Sequence, residues 1–415
     1  MKSHSQLWWR IVPAFAAGYF LSYGLRTVNA VIAPELGRDF AATASDLGLL
    51  TSAYFLAFGA FQLPLGILLD RFGPRRVEAA LLLIASSGCA LFGLAPTLDW
   101  LIVGRAMIGL GVSACLMASF KAFSQWFPME MLPSLTGMIM VAGGLGALAT
   151  SLPVELALPV IGWRGVFLLM AGLGVTLSLG LFFSVPDKPP THVESLRDQL
   201  AALGRIFLTR SYWRFAPQAC LIAGGFMAIQ GLWALPWMMT VDGLPRGAAA
   251  EVLFLMGLAM LLGFLFLATA SVALAHRGVS PMHLLTGGMG AALLIELAII
   301  AGLAPPWLLW SLFGFCFSLG NLAYSQLAGR FPTHLAGRVN TALNLLMFAG
   351  AFALQWGFGA AVDAIAATGI DRSAAFRWTF AALLAAQTLA YLWFLRRDTH
   401  PQSARSIYSL ENTAN

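Results

Sequence analysis

The feature that most constrains this chain is a succession of long apolar runs that follow one another along its length. Of the 415 residues, 59% are hydrophobic and 10% are charged, and the mean hydropathy is +0.79. Soluble domains hold roughly 45–50% apolar and about 25% charged residues, so this composition indicates a polytopic membrane protein. Because the runs are continuous, and because unpaired backbone polar groups cannot face lipid, each run predicts a transmembrane helix.

A membrane-spanning helix needs about 20 apolar residues, and the runs predict an all-α membrane protein of twelve transmembrane helices. The four cysteines stand alone inside apolar runs, so neither a metal site nor a disulfide is expected. The predicted helices cover residues 9–34, 45–68, 77–95, 100–121, 134–158, 164–185, 213–239, 250–274, 283–303, 307–328, 338–362 and 374–396.

Positive charges are distributed unevenly between the two sides of these predicted helices. With a cytoplasmic N-terminus, 17 of the 24 Lys and Arg residues lie on the cytoplasmic side and 5 on the other. Arg26 and Arg105 lie within the membrane. Cytoplasmic loops carry the excess of Lys and Arg, so both termini are predicted to be cytoplasmic, in a bacterial-type inner membrane. The basic pI of about 9.4 therefore reflects topology and does not indicate nucleic-acid binding.

The loop between the second and third predicted helices is short and densely charged. It contains Gly66-x-x-x-Asp70-Arg71-x-Gly73-x-Arg75. This pattern resembles the loop motif between helices 2 and 3 of the major facilitator superfamily of secondary transporters. The resemblance implies two six-helix bundles around a central cavity, alternating access, no cofactor and a monomer. It also implies that Asp70 meets the N-terminus of helix 11 as a gate, with Arg71 and Arg75 holding the loop through acids and helix ends.

The two halves of the chain share short patterns at one constant offset of 204 residues, which predicts parallel six-helix repeats. We therefore divide the chain into an N-terminal bundle at 1–186, a linker at 187–212, a C-terminal bundle at 213–396 and a cytoplasmic tail at 397–415. The linker is predicted to form an amphipathic helix on the membrane surface, with a solvated linker as the alternative. The repeated patterns are Trp9-Arg10-x-x-Pro13 with Trp213-Arg214-x-x-Pro217, and Phe127-Pro128 with Phe331-Pro332.

The two intramembrane arginines are the first candidates for function, since a charge inside a bilayer is costly. At the constant offset they correspond to Gln230 and Leu309, so the halves differ in charge. The stretch Tyr23-x-x-Arg26-x-x-Asn29 resembles helix 1 of the organophosphate and organic-anion branches, which implies that Arg26 meets an anionic substrate. Arg105 resembles a helix-4 arginine of the superfamily, which leaves open substrate contact, proton coupling, or a bond to the helix-1 backbone.

Other polar and acidic residues fall in the helices that line the cavity in this superfamily. Glu155 is a candidate proton-coupling group, whereas Glu296 is predicted to be a satisfied structural acid. Asn340 and Asn344 share one helix face and could act at a gate instead. The remaining predicted substrate-binding residues are Tyr23, Asn29, Tyr54, Gln230, Trp233, Asn321, Tyr324 and Gln355.

Taken together, these features predict a secondary transporter that imports a small, carboxylate-like organic anion with protons as the coupling ion. The alternative is a proton-driven exporter of drug-like or amphipathic compounds, which would need a cavity acid where the N-terminal half offers positive charge. An enzyme is not expected, because no His, Asp and Cys constellation lies on an aqueous face. The predicted partners are therefore a small anionic molecule, protons and the lipid bilayer.

Overall fold

The protein is described here by a computed structural model, which covers residues 2–128, 131–187, 203–332 and 335–396. Every regular element in these residues is a helix, and twelve membrane-length segments are labelled α1 to α12 in chain order. Their bounds are Lys2–Asp39 (α1), 44–72 (α2), 74–94 (α3), Leu98–Trp126 (α4), 132–161 (α5), 163–184 (α6), Arg210–Thr240 (α7), Arg246–His276 (α8), Pro281–Ala301 (α9), Pro306–Ala328 (α10), Ala336–Ala366 (α11) and Arg372–Leu395 (α12).

Two pairs of helices meet at a single glycine without a separate loop. The helical stretch Ala44–Leu94 is broken at Gly73, where φ is 78° and ψ is 160°. The stretch Leu152–Ser184 is broken at Gly162, where φ is 65° and ψ is 170°. Residues with a Cβ rarely adopt these angles, so glycine is what allows each helix to stop and the next to begin at once. The sequence predicted short loops at both places, and the structure makes them shorter still.

Nine continuous stretches of the described residues are long and apolar enough to cross a membrane. One of them, Ala44–Leu94, supplies both α2 and α3. The longer α1, which carries Arg10 and Arg26, and the segmented α5 bring the number of helices to twelve. The predicted fold class is therefore confirmed.

The hydrophobic core runs through both halves. Phe58 of α2 and Phe348 of α11 lie with ring centroids 4.4 Å apart, so apolar contact continues across the interface between the bundles. A second cluster lies within the C-terminal half, and it includes Leu203 and Ile206, both buried, from the end of the predicted linker. The rest of the predicted amphipathic helix, at 188–202, lies outside the described residues.

Three of the central helices depart from regular α geometry near mid-length. In α4 the helix is interrupted at 113–114, and α7 contains wide turns at Ala219–Ala223 and Ile229–Trp233. In α10 the turn Leu319–Asn321 is tighter than an α-helix. Such irregular turns inside helices are frequent at functional sites. Here each of the three helices contributes a polar side chain from its irregular turn to the cavity described below.

Candidate functional site

The two halves enclose a central cavity of about 320 Å³ between α1, α2, α4 and α5 on one side and α7, α8, α10 and α11 on the other. Aromatic and methionine side chains form much of its wall, which is usual for small-molecule sites with a few placed polar groups. The polar side chains that line it are Tyr19, Ser22, Tyr23, Arg26, Gln62, Ser113, Thr136, Gln230, Asn321, Tyr324, Asn340 and Asn344.

Arg26 is the one charged side chain that lines this cavity among the described residues. Its Cζ atom lies 4.6 Å from the ring centroid of Tyr23, 5.7 Å from that of Phe58 and 5.9 Å from that of Phe348. Aromatic faces stabilise a cation at such distances, but they do not neutralise it. Within the described chain we find no carboxylate paired with Arg26, and its Nε has no hydrogen-bond acceptor. The cavity therefore holds an uncompensated positive charge.

The C-terminal half contributes neutral hydrogen-bonding groups to the same cavity. The Tyr324 hydroxyl donates to the Asn344 side-chain oxygen, and the Gln230 side-chain amide lies 3.6 Å from the Met260 sulfur. Asn321 is exposed to the cavity, with its amide donating to the Ser318 carbonyl at 3.2 Å. The site thus pairs a cationic face on α1 with an amide-rich face on α7, α10 and α11.

The structure brings half of the predicted substrate-binding residues to the cavity. Five predicted side chains line it: Tyr23, Arg26, Gln230, Asn321 and Tyr324. In the described residues, the other five lie outside the lining: Asn29, Tyr54, Arg105, Trp233 and Gln355.

Those five side chains are buried in contacts between helices. Asn29 donates to Thr51 at 3.1 Å, and Trp233 donates to the Gln355 carbonyl at 3.1 Å. The Tyr54 hydroxyl donates to the Ser22 carbonyl at 3.4 Å. In this conformation they connect helices rather than face a bound molecule.

Arg105 is fully buried and donates from Nη1 to the Leu25 carbonyl at 2.8 Å. Its Cζ atom also lies 5.0 Å from the ring centroid of Tyr54. Of the roles left open by the sequence, this geometry corresponds to the bond with the helix-1 backbone. In the part of the chain that the structure describes, its Nε and Nη2 have no hydrogen-bond partner, so one carbonyl and one ring contact the charge there.

Glu155 lies at the end of the bundle opposite the Asp70 motif. Arg246 of α8 donates from Nε to Glu155 at 2.8 Å, from Nη2 to the Val31 carbonyl at 2.9 Å, and from both Nη atoms to Glu35. This arginine therefore ties α8 of the C-terminal half to α1 and α5 of the N-terminal half. Glu155, predicted to couple protons, is placed here as an ion-pair partner between the halves.

Asp363 makes a second connection at the same end. Its carboxylate accepts hydrogen bonds from the backbone N–H groups of Ala44 and Ser45, at 3.3 and 2.6 Å, where α2 begins. Next to it, a Cβ on Gly359 would lie 2.2 Å from the Ala44 carbonyl oxygen, so α2 and α11 touch through their backbones. The bundle is consequently closed at this end.

The motif end is arranged differently. Asp70 pairs with Lys121 of α4, and both face a second cavity of about 370 Å³ that Gly337 and Arg338 of α11 line from the other half. The two cavities share Gln62 and Met117, so together they form a passage from Arg26 to the Asp70 motif. The contact of Asp70 with the α11 N-terminus stays a prediction for a state that is closed at this end.

The two motif arginines lie on aromatic rings rather than on the acids that the resemblance implied. The Cζ atom of Arg71 is 5.2 Å from the Phe72 centroid, and that of Arg75 is 4.6 Å from the Phe182 centroid. The two rings are exposed side chains at the ends of α2 and α6, and the nearby acid Asp187 forms an ion pair with Arg76 at 2.5 Å.

Several notable residues were missed by the sequence reasoning. Three of them lie close to predicted helix ends, where charged side chains are expected to be in water, so the sequence did not single them out as functional candidates. These are Glu35, Arg246 and Asp363. Glu78 lies inside a predicted helix and was detectable by the same rule that identified Arg26. Glu296 is buried as expected, but one of its carboxyl oxygens has no hydrogen-bond partner among the residues that the structure describes, so it is less satisfied than predicted.

A helical membrane protein with a polar cavity between its N-terminal and C-terminal helices, closed at one end and reached from the other, has the architecture of a carrier for small molecules rather than of an enzyme. The family model of the Major Facilitator Superfamily matches residues 15–355. The chain therefore belongs to the Major Facilitator Superfamily of secondary transporters.

Curated relatives share parts of the sequence. The chain is 29% identical over 206 residues to a probable sulfoacetate transporter, SauU, of Cupriavidus necator, covering 49% of this chain and 47% of that protein. It is 27% identical over 299 residues to a probable L-galactonate transporter of Escherichia coli, covering 70% and 64%. It is 28% identical over 177 residues to the efflux pump aunC of Aspergillus niger, covering 43% and 31%. Each match spans less than two thirds of the relative's length.

Solved structures are similar over nearly the whole chain. A bacterial homologue of the human lysosomal transporter Spinster, in an inward-facing and unoccupied conformation, aligns with a TM-score of 0.71 at 18% identity, covering 92% of this chain and 95% of that one. A D-xylose–proton symporter aligns with a TM-score of 0.74 at 16% identity, covering 95% and 99%. At these identities the similarity establishes the fold.

Proposed function

We propose that this protein imports a small organic anion together with protons across a bacterial-type inner membrane, by alternating access between its two halves. The observation that carries the proposal is Arg26, a positive charge in the central cavity for which the described residues supply no acid. Within the described chain the Arg26 Nε donor is free, and a guanidinium can direct two parallel N–H groups at two oxygen atoms of a planar carboxylate or of a tetrahedral sulfonate. Similarity to proteins named as sulfoacetate and L-galactonate transporters supports the same substrate class.

The anion would bridge the two halves when bound. Its charged group would accept hydrogen bonds from Arg26 on α1, and its remaining polar groups would meet Gln230, Asn321 and Tyr324 of the other half. A ligand that touches both halves stabilises their closure around it, which is the step that alternating access requires. An aromatic and methionine wall between the two polar faces leaves room for the carbon skeleton.

The orientation follows from the charge distribution. The motif end carries most of the Lys and Arg residues outside the membrane, so we infer that this end and both termini are cytoplasmic. In that orientation the passage from Arg26 to Asp70 opens inward, and the Arg246 and Asp363 contacts close the outer side. Asn340 and Asn344 line the inner part of the cavity, near the N-terminus of α11.

The test is uptake into proteoliposomes under an inward proton gradient, with sulfoacetate, L-galactonate, a hexuronate and nicotinate as the panel. We expect Arg26→Gln to weaken uptake of the transported anion about tenfold to hundredfold, because it removes a charged hydrogen bond from the binding site. Arg26→Lys should retain part of the activity, since it keeps the charge without the planar fork.

Arg10→Gln is the matched control, because Arg10 is an exposed arginine on the same helix that donates to the Ser184 carbonyl, outside both the cavity and the Arg246 contacts. It should transport like the wild type. If the wild type takes up no anion, but exports a cationic dye at a rate that Arg26→Gln leaves unchanged, the proposal is wrong and the exporter alternative is favoured.

A further inference from the structure

Glu78 is a buried acid that belongs neither to the cavity lining nor to the ion pairs described above. It lies in α3, one turn after Pro74, and its exposed fraction is 0%. Within the described residues, neither carboxyl oxygen has an oxygen or nitrogen hydrogen-bond partner, and the Cys115 thiol is the polar group beside them. An ionised carboxylate is costly to bury without a partner, so this environment stabilises the protonated, neutral form of the side chain.

The helices around Glu78 leave space for its carboxyl group. On α1, a Cβ at Gly18 would lie 2.3 Å from Oε1 of Glu78, so the carboxyl occupies the volume that a side chain at residue 18 would take. On α4, the Cys115 thiol lies next to the carboxyl. Among the described residues, Cys115 is the titratable group that we find facing Glu78, and we find no charged group there.

Glu78 is separated from the substrate cavity by two small polar side chains. Cys115 lies between the Glu78 carboxyl and the Ser22 hydroxyl, and Ser22 lines the central cavity three residues from Tyr19 and four from Arg26. A hydroxyl and a thiol can each accept one proton while passing on another. The geometry therefore provides a short route between cavity water and a buried carboxyl.

We propose that Glu78 is the proton-binding site of the transport cycle and that it is loaded and emptied from the central cavity through Ser22 and Cys115. This inference rests on the proposed function, to which it adds the coupling site. Loading transfers one proton from a hydronium ion in the cavity, along the O–H and S–H groups, to the Glu78 carboxylate. Release reverses these transfers when the cavity faces the more alkaline side, and returns the proton to water.

The experiment compares proton-driven accumulation with exchange in proteoliposomes, using L-galactonate as the first probe or the panel anion that the wild type takes up fastest. With one proton carried per anion, a gradient of about one pH unit supports about tenfold accumulation. We expect Glu78→Gln to lose this accumulation and to keep exchange of labelled for unlabelled anion. Retained exchange also establishes that the variant is folded.

Glu296→Gln is the matched control, since Glu296 is another buried acid with an unpartnered oxygen, on α9. It should accumulate the anion like the wild type. Glu78→Asp keeps a titratable group and should retain part of the accumulation. Normal accumulation by Glu78→Gln, or an equal loss in Glu296→Gln, overturns the assignment of Glu78.

A spectroscopic measurement tests the same site without a substrate. Infrared difference spectra recorded during a pH titration of the purified protein should contain a protonated-carboxyl band that Glu78→Gln removes and Glu296→Gln leaves. A wild type that exchanges anions but takes up no protons with them contradicts the proposed coupling itself. A coupled wild type with an equally coupled Glu78→Gln contradicts only the role of Glu78.

Discussion

Arg26 and Arg105 both lie among the N-terminal helices, but the charge of Arg26 is open to a ligand and that of Arg105 is not. Arg26 faces the cavity, where a ligand can supply the missing negative charge. Arg105 is enclosed by protein, and among the described residues it has one carbonyl acceptor and two nitrogen atoms without a partner. Burying a charge on such terms is unfavourable for folding. We therefore expect Arg105 to be needed for a step other than folding, such as control of the contact between helices 1 and 4 during transport.

We expect Arg105→Leu to leave the fold intact and to reduce transport. The lost charged hydrogen bond costs about 1.5–3 kcal/mol, and removing an uncompensated buried charge returns a similar amount, so the free energy of unfolding should stay within about 2 kcal/mol of wild type. The equivalent position of the other half is Leu309, so this fold accommodates leucine there. Thermal unfolding in detergent and uptake assays check the two parts, and unchanged uptake would contradict a role in the cycle.

At the scale of single residues, the sequence identifies the polar side chains inside apolar helices, but it does not always show which side of the helix they face. Tyr23 and Arg26 were predicted to share the cavity, and they do. Tyr54 and Gln355 were predicted to join them, but they are buried between helices. The reason is physical: these helices are apolar all round, since one face meets lipid and the other the protein core, so no amphipathic stripe fixes their rotation.

The helices themselves were predictable because their length is set by the membrane. The second predicted helix, 45–68, corresponds to 44–72 in the structure, and the ninth, 283–303, to Pro281–Ala301. What the sequence does not specify is the manner in which helices end. Gly73 and Gly162 stop their helices by a left-handed backbone conformation, and α7 contains wide turns that no residue pattern predicted.

The substitution Gly162→Ala measures how much the left-handed backbone conformation of this glycine contributes to the free energy of unfolding. A Cβ at residue 162 would meet no atom within 4 Å, so the strain of an alanine at φ 65° and ψ 170° is the main effect. We expect a loss of about 1–3 kcal/mol in the free energy of unfolding. Gly180→Ala is the control, because Gly180 also has open space but lies inside α6 with helical angles.

In the control, alanine should stabilise the helix by about 0.5–1 kcal/mol relative to glycine. Thermal unfolding of both variants in the same detergent gives the comparison. Equal shifts for Gly162→Ala and Gly180→Ala would mean that the break between α5 and α6 does not depend on glycine.

At the scale of the whole molecule, the end that is closed is held by few polar contacts. Arg246 connects α8 to α1 and α5, and Asp363 connects α11 to the first turn of α2. A carboxylate at a helix N-terminus satisfies free N–H groups and interacts favourably with the helix dipole. Both contacts must break for the cavity to open at this end, so their strength sets part of the balance between the two states.

We therefore expect Asp363→Ala to shift the protein toward the state that is open at the Arg246 end. Losing a helix cap costs about 0.5–2 kcal/mol, which corresponds to a change of about twofold to thirtyfold in the ratio of the two states. Distances between spin labels on exposed sites of the two halves measure this ratio. Asp371→Ala is the control, since Asp371 caps α12 within one half, through Ser373 N–H at 2.9 Å.

An unchanged distribution in Asp363→Ala, or an equal shift in Asp371→Ala, would contradict the assignment of Asp363 as a contact that holds this end closed. The prediction concerns the conformational balance, and so it holds for the empty protein without any substrate.

The lone charge of Arg26 also has an electrical consequence for the complete cycle. A full charge that crosses a membrane potential of 100 mV gains or loses about 2.3 kcal/mol, so a carrier returning with Arg26 uncompensated would work against the potential. In the proposed cycle Glu78 has released its proton before the empty carrier returns, and its negative charge then cancels that of Arg26. When the anion neutralises Arg26 and a proton neutralises Glu78, the loaded carrier is balanced as well. Paired in this way, one cation and one acid cancel the charge of Arg26 in both halves of the cycle, so the membrane voltage acts only on charges elsewhere in the carrier, such as Arg105.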